Sequence, residues 1–365
     1  MPPPPAPPPP PNEVPDDPAL PALALIRQVG LASALPSLGL NDRTVELKLR
    51  GYTAGSRATF EVQAGDRRFA LKAYAEDPTP EVELYRAFSA AGFAGDGGAR
   101  APRLLLWQPE LRVLAISWLD GPPANELVKS GQGQRAGELA ATLLWRMASL
   151  PINLGPSNGA GNLLYQVGAS VTLLDAADAA LGVAAKKVAI MLKRTQPRNG
   201  QARLVHGTLY ARHVLDLGDG PGVIDWQRFG QGPVEVDAGM FLATITRLGL
   251  RHAADAREAE SAERAFLAGT RGLVDERTLA WYRAAALLHL ASRGLKRQAA
   301  SEARAVVAEA ARFADRVGPP PPVYAPPLAS SALELVLAAL SASPATPAEL
   351  DRIQALLDQK RRESR

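Results

Sequence analysis

Between Thr44 and Tyr74 the chain carries three successive runs of strand-forming residues, "TVELKLRG", "SRATFEVQ" and "RRFALKAY". Only Gly55 and the turn "AGDR" separate them, so the runs pair as consecutive antiparallel strands. The next stretch, "PTPEVELYRAFSAAG", opens on proline and threonine, sets Val82, Tyr85 and Phe88 at three-residue steps, and stops at Gly92. That is the pattern of a capped amphipathic helix. "RLLLWQ" and "RVLAISWL" then read as a further hairpin, giving the order βββ, α, ββ.

Past Asp120 the texture turns helical: "RAGELAATLLWRMASLP", "VTLLDAADAALGVAAKKVAIMLKRT", and later Ala253 to Thr270, Glu276 to Leu295 and Ser301 to Arg316. Only "LVHGTLYARHVL" and "GPGVIDWQRF" interrupt it with short strands. The expected architecture is α+β, a small antiparallel-sheet lobe ahead of a larger, mainly helical lobe, with a cleft between them. Residues 1–18 form a proline-rich polyproline II tail. Residues 19–118 make the sheet lobe with one or two short preceding helices, 119–317 the helical lobe and 318–327 a proline-rich linker. Residues 328–365 are a helical extension, whose second helix opens at "TPAE" with Thr346, Pro347 and Glu349 in capping positions. The two terminal extensions either dock on the body or recruit a protein partner.

Composition narrows the class. With 47% hydrophobic and 21% charged residues over 365 positions, the middle of the chain folds around a sizeable core. A formal charge of +4, spread evenly, gives no nucleic-acid surface. The absence of cysteine excludes disulfides and thiolate chemistry. The opening "MPPPPAPPPPPNEVPDDP" lacks the cationic and apolar regions of a secretory signal, and no membrane span is expected. A cytoplasmic location is the default.

Four places carry chemistry-bearing residues. Lys72 lies on the third strand, with Glu81 and Glu83 on the following helix. Gly51 and Gly55 flank the first hairpin, "GYTAGS", where they either mark the turn alone or let backbone amides approach a phosphate. Asp225 ends a short apolar strand, a position that costs free energy unless a metal or hydrogen-bond donors meet it, and it is the best candidate Mg²⁺ ligand. The loop in "LVHGTLYARHVL" holds His206 and His213 with no carboxylate between them.

Taken in order, "FALKAY", "PEVELYRAF", "LAISWLDGPP", "LAATLLWRMASLP", "LVHGTLYARHVL" and "GVIDWQRFGQGPVEVDAGMFLA" resemble the aminoglycoside phosphotransferase and choline kinase-like family over residues 43–316. The resemblance implies a two-lobed protein kinase-like fold with ATP and Mg²⁺ between the lobes and a small-molecule acceptor on the helical lobe. It implies that Lys72 contacts phosphate, that Glu81 is its helix partner, and that Ser117, Trp118 and Leu119 form the adenine-facing hinge. It makes Asp225 the metal ligand, His206 a loop brace and Asp237 a structural carboxylate.

The departures fall in one loop. Where the family has aspartate as the catalytic carboxylate this chain has Thr208, and where it has a metal-binding asparagine this chain has His213. A threonine hydroxyl is no proton acceptor near neutral pH, and imidazole suits transition metals better than Mg²⁺. The leading expectation is a pseudokinase that keeps nucleotide. Its rivals are an active small-molecule kinase in which Tyr210, Asp216 or Asp219 takes over, and a scaffold acting through residues 1–18 and 328–365.

Overall fold

The computed structural model describes residues 13–41, 43–198, 200–293, 295, 300–318 and 354. The chain divides into two units, Met1–Gly318 and Pro319–Arg365. Most of the proline-rich tail, nearly all of the linker and all of the helical extension except Gln354 lie outside the described residues.

Helix α1 (Pro21–Ala34) starts with proline in its first turn and bends where Gly30 leaves helical geometry at φ 77°. Five strands follow in one antiparallel sheet: β1 (Val45–Thr53), β2 (Arg57–Ala64), β3 (Arg67–Tyr74), β4 (Leu104–Gln108) and β5 (Val113–Ser117), in the spatial order β1-β2-β3-β5-β4. β2 alternates strictly between buried and half-buried positions, so its two faces meet different surroundings. Ala58, Phe60, Val62 and Ala64 pack in one core with Leu20, Leu23, Ile26 and Leu31 of the N-terminal helix region. Thr59, on the other face, pairs with Lys72 across the β2–β3 ladder.

The composition of this segment departs from one expectation. Pro21–Leu38 is long and apolar enough by length and composition to cross a membrane, because Arg27 is its one charged residue. In the fold its apolar side chains supply part of the sheet's core instead.

Asp17, just ahead of α1, ties this segment to the tip of the first hairpin. It is 7% exposed, and its carboxylate accepts the Gly55 N–H at 2.7 Å, the Tyr52 hydroxyl at 3.0 Å and the Ala19 N–H at 3.0 Å. Burial alone would raise its pKa, but these donors hold it below the ordinary carboxylate value. Asp17→Ala is expected to lower stability in urea unfolding by about 1–3 kcal/mol, because it orphans the Gly55 amide. The folded-state pKa is depressed, so the contribution is present at neutral pH and fades on acidification through the carboxylate range.

Helix α2 (Thr79–Ala90) joins the sheet to the helical region, with Tyr85 and Phe88 fully buried and the Phe88 ring 4.6 Å from that of Trp226. The helical region holds α3 (Ala124–Lys129), α4 (Gly133–Ala148), α5 (Ala160–Ala177), α6 (Ala179–Arg194), α7 (Glu235–Arg251), α8 (Ala256–Gly269), α9 (Glu276–Arg293) and α10 (Ala300–Val317). α4 and α8 cross closely at Gly137, where a Cβ would lie 2.2 Å from the Ala262 carbonyl oxygen. The run expected as one helix from Val171 to Thr195 is two. Asp178 breaks it, its carboxylate accepting the Ala180 and Leu181 N–H groups as an N-cap. α5 also begins eleven residues earlier than the sequence pattern indicated, since Gly161 and Gly168 weaken its signal.

Two short ribbons interrupt the helices: β6 (Arg203–Val205) pairs with β9 (Gly230–Gly232), and β7 (Val214–Asp216) with β8 (Pro221–Val223). The 206–213 loop runs from β6 to β7, and Asp225 follows β8 by two residues rather than ending it.

Candidate functional site

A cavity of about 430 Å³ lies between the sheet and these ribbons, with Gly51, Thr59, Lys72, Trp118, His213 and Asp225 among its lining residues. Lys72, 5% exposed, donates to Glu81 Oε1 at 2.6 Å. Tyr74 donates to the second oxygen of the same carboxylate at 2.6 Å, and Tyr85 to the first at 3.3 Å. A buried ion pair needs such surrounding donors to offset desolvation. Glu83, two residues on, is exposed, so helix phase alone selects Glu81.

Asp225 sits at φ 70°, a left-handed conformation that aspartate tolerates better than most residues. Burial acts to raise its carboxyl, but the charge of Lys72 and, less strongly, that of Arg57 hold it below the ordinary value. Its Oδ2 lies 3.4 Å from His213 Nε2. His213 Nδ1 is 3.0 Å from the Thr208 carbonyl oxygen. A carbonyl only accepts, so Nδ1 carries the hydrogen and a neutral imidazole turns the lone pair of Nε2 toward Asp225. Burial and the neighbouring His206 push His213 down to about 3, which keeps it neutral. An imidazole lone pair facing a carboxylate at this span forms half of a cation site, and this donor pair fits a transition ion better than Mg²⁺. Among the described residues no three histidines, aspartates or glutamates gather to hold a metal alone, so other oxygens would have to complete the shell.

The loop itself is braced from behind. Asp237, in the first turn of α7 and fully buried, accepts the His206 N–H at 2.6 Å and the Gly207 N–H at 2.8 Å. His206 Nε2 lies 2.9 Å from the Ile224 carbonyl and its ring packs on Trp226, the centroids 4.8 Å apart. Gly207 has φ +77°, and a Cβ there would meet the Arg228 carbonyl oxygen at 2.1 Å. The backbone thus admits only glycine here. Thr208 is half-buried, and among the described residues no side chain bonds its hydroxyl.

The candidate substitutes for a carboxylate are held elsewhere. Arg135 clamps Asp216 through two bonds of 2.8 and 2.9 Å, and Arg100 holds Asp219 at 2.9 Å. Asp219 is solvent-exposed in its turn as well as ion-paired. Tyr210 is buried between Arg212, whose guanidinium lies 4.2 Å from its ring centroid, and His213.

Of the remaining site residues, Gly51 lines the cavity whereas the Gly55 amide is engaged by Asp17. Ser117, Trp118 and Leu119 line it together with the apolar Ala70, Pro102 and Ile116. Arg57 and Arg212 also face it, and among the described residues neither has a carboxylate partner. Sequence reading missed both, because an isolated arginine on a strand or in a loop gives no signal of the face it takes. A cleft lined by Lys72, Arg57, Arg212 and the Glu61-paired Arg50, with Asp225 and several apolar side chains beside them, matches the chemistry of a nucleotide.

The fold has solved counterparts, each similar at low identity. A ternary complex of a thermostable mutant of aminoglycoside phosphotransferase APH(4)-Ia with ADP and hygromycin B aligns at a TM-score of 0.54 and 13% identity, covering 78% of this chain and 98% of that one. Choline kinase LicA from Streptococcus pneumoniae aligns at 0.55 and 11% identity, covering 78% and 97%. Ethanolamine kinase from Plasmodium vivax aligns at 0.50 and 11%, covering 82% and 95%. At these identities the likeness establishes a protein kinase-like fold. No curated protein matches the chain. The profile of the phosphotransferase enzyme family, however, matches residues 48–282, well over half of the sequence, and the chain belongs to that family.

Proposed function

We propose that this protein binds a nucleotide in the cleft between its sheet and its helical region, and that conventional phosphoryl transfer is impaired at Thr208. The observation that carries the reading is the assembly of the Lys72–Glu81 pair and Asp225 in one cleft beside a loop whose carboxylate position holds a threonine. The ADP named for the aminoglycoside phosphotransferase complex is consistent with the nucleotide half. In this reading Lys72 and Arg57 engage the phosphates, the 117–119 segment faces the base, and Asp225 with His213 would hold a divalent ion that offsets phosphate charge.

Calorimetric titration of the full chain with ADP and ATP tests the first half. Binding is expected, stronger with Mn²⁺ than with Mg²⁺. Lys72→Met is expected to weaken it by about tenfold or more, the loss of one charge-assisted contact. No heat with either nucleotide under any metal condition would sink the proposal.

The rearranged-enzyme alternative draws no support from the engaged carboxylates of Asp216 and Asp219. The scaffold alternative turns on terminal extensions that lie almost wholly outside the described residues.

A further inference from the structure

The β1–β2 hairpin forms part of the cavity wall, with Gly51, Thr53, Arg57 and Thr59 among the lining residues. β1 is an edge strand whose every residue is half-buried or exposed, and the turn from Thr53 to Ser56 is exposed throughout. An edge ribbon of this kind is among the parts of a sheet most readily displaced. Whatever fixes it sets the shape of that wall.

The turn is anchored at two places. On the β3 side the Ala75 N–H donates to the Ser56 carbonyl at 2.8 Å. The second anchor comes from outside the sheet: one oxygen of Asp17 accepts both the Gly55 N–H at 2.7 Å and the Tyr52 hydroxyl at 3.0 Å. Asp17 is itself held, since its other oxygen accepts the Ala19 N–H and its backbone carbonyl the Leu20 N–H, both at 3.0 Å. Leu20 and Leu23, which follow, are fully buried in one core with Phe60 and Val62 of β2. The carboxylate thus stands on the core and not on the hairpin it grips.

Strand register separates the grip from the cavity. A register shift between Leu49 and Gly51 sets Tyr52 opposite Ala58, which packs in the α1 core, and sets Gly51 and Thr53 opposite the cavity-lining Thr59 and Arg57. Asp17 therefore holds the hairpin from the α1 face while Arg57 faces the cavity. Arg57 lies two residues beyond Gly55, and among the described residues it has no carboxylate partner. The backbone of the hairpin decides where its guanidinium stands.

We propose that Asp17 is a positioning residue for the cleft: by holding Tyr52 and Gly55 it fixes the β1–β2 hairpin and sets Arg57 against the phosphates of a bound nucleotide. The inference rests on reading the cleft as a nucleotide site. A hairpin ordered only on binding subtracts that ordering from the affinity, whereas a hairpin already clamped does not.

The test is calorimetric titration of the full chain with ADP in wild type, Asp17→Ala, Arg57→Ala and the double variant, at a temperature where circular dichroism shows each to be folded. Asp17→Ala weakens ADP binding about fivefold or more. In the Arg57→Ala background the same substitution moves ADP affinity by less than about twofold, because the group it positions is gone. Ile26→Val, which loosens the α1 core without touching the hairpin, lowers the melting temperature and leaves ADP affinity unchanged. Tyr52→Phe keeps the ring and cuts one of the two bonds, weakening ADP by about twofold or more. It replaces Asp17→Ala in the same cycle if that variant does not fold. ADP affinity unmoved by loss of the clamp, a loss of equal size in Ile26→Val, or effects at the clamp and at Arg57 that simply multiply would overturn the proposal and leave the nucleotide reading standing. A wild-type chain that binds no ADP would overturn both.

Discussion

Replacing Thr208 by aspartate and His213 by asparagine together is expected to raise ATP turnover by about 10²- to 10⁴-fold, the range that a positioned acid or base contributes. Both halves have a structural basis. Position 208 is half-buried in the loop that brings Arg212 and His213 to the cleft, and among the described residues no side chain engages its hydroxyl, so a carboxylate enters without displacing a partner. At position 213 the imidazole donates Nδ1–H to the Thr208 carbonyl and turns Nε2 toward Asp225. An asparagine reproduces the first contact with its amide N–H₂ and replaces the nitrogen lone pair with an oxygen, the donor that Mg²⁺ prefers. Turnover is measured as phosphate release at saturating ATP with Mg²⁺, alongside ADP affinity. Unchanged ADP affinity with raised turnover identifies the missing carboxylate as the defect. Turnover that stays flat or falls would instead indicate a working site built on other residues, and the impaired-transfer reading would be lost.

The sheet was legible from sequence because its signals are local. Period-two alternation and turn glycines set β1 to β3, while Glu81, singled out over Glu83 by the family resemblance, is the glutamate that Lys72 reaches. The loop's departures were legible for the same reason, since His206, Thr208 and His213 lie within eight residues.

What escaped depends on partners distant in sequence. Asp17 meets Gly55 across 38 positions, Arg135 meets Asp216 across 81, and Arg100 meets Asp219 across 119. Nothing near Asp216 or Asp219 signals that their carboxylates are already occupied, so both read as candidate bases. The cleft arginines Arg57 and Arg212 were hidden likewise, because an even spread of charge along a sequence does not prevent its convergence in space. An overall charge of +4 therefore says little about the field at one loop.

Asp237 links that loop to the stability of the whole domain, and its removal is expected to have the largest effect on folding. Its two oxygens satisfy the buried N–H groups of His206 and Gly207. An asparagine has one acceptor oxygen and would turn its own N–H₂ toward the other amide. Asp237→Asn is therefore expected to cost about 2–5 kcal/mol in urea unfolding, as expected when buried polar groups lose their partners. The pH dependence separates this residue from the rest. Burial pushes its carboxyl up to about 7 in the fold, against the pull of the two amides. An unfolded aspartate releases its proton near 3.8. Between these values the folded state holds more protons, so the contribution of Asp237 is complete below about pH 4 and declines as pH rises to about 7. Asp17, Asp216 and Asp225 are depressed and act in the opposite sense, which is why the stability of the wild-type chain alone does not isolate the effect. The difference between wild type and Asp237→Asn does: it is expected to shrink by on the order of 4 kcal/mol between pH 4 and pH 7 and to stay level above. A difference that grows with pH would mean the amides outweigh burial and Asp237 is ionised in the fold, making the loop's brace a fixed negative charge behind His206 rather than a neutral acid.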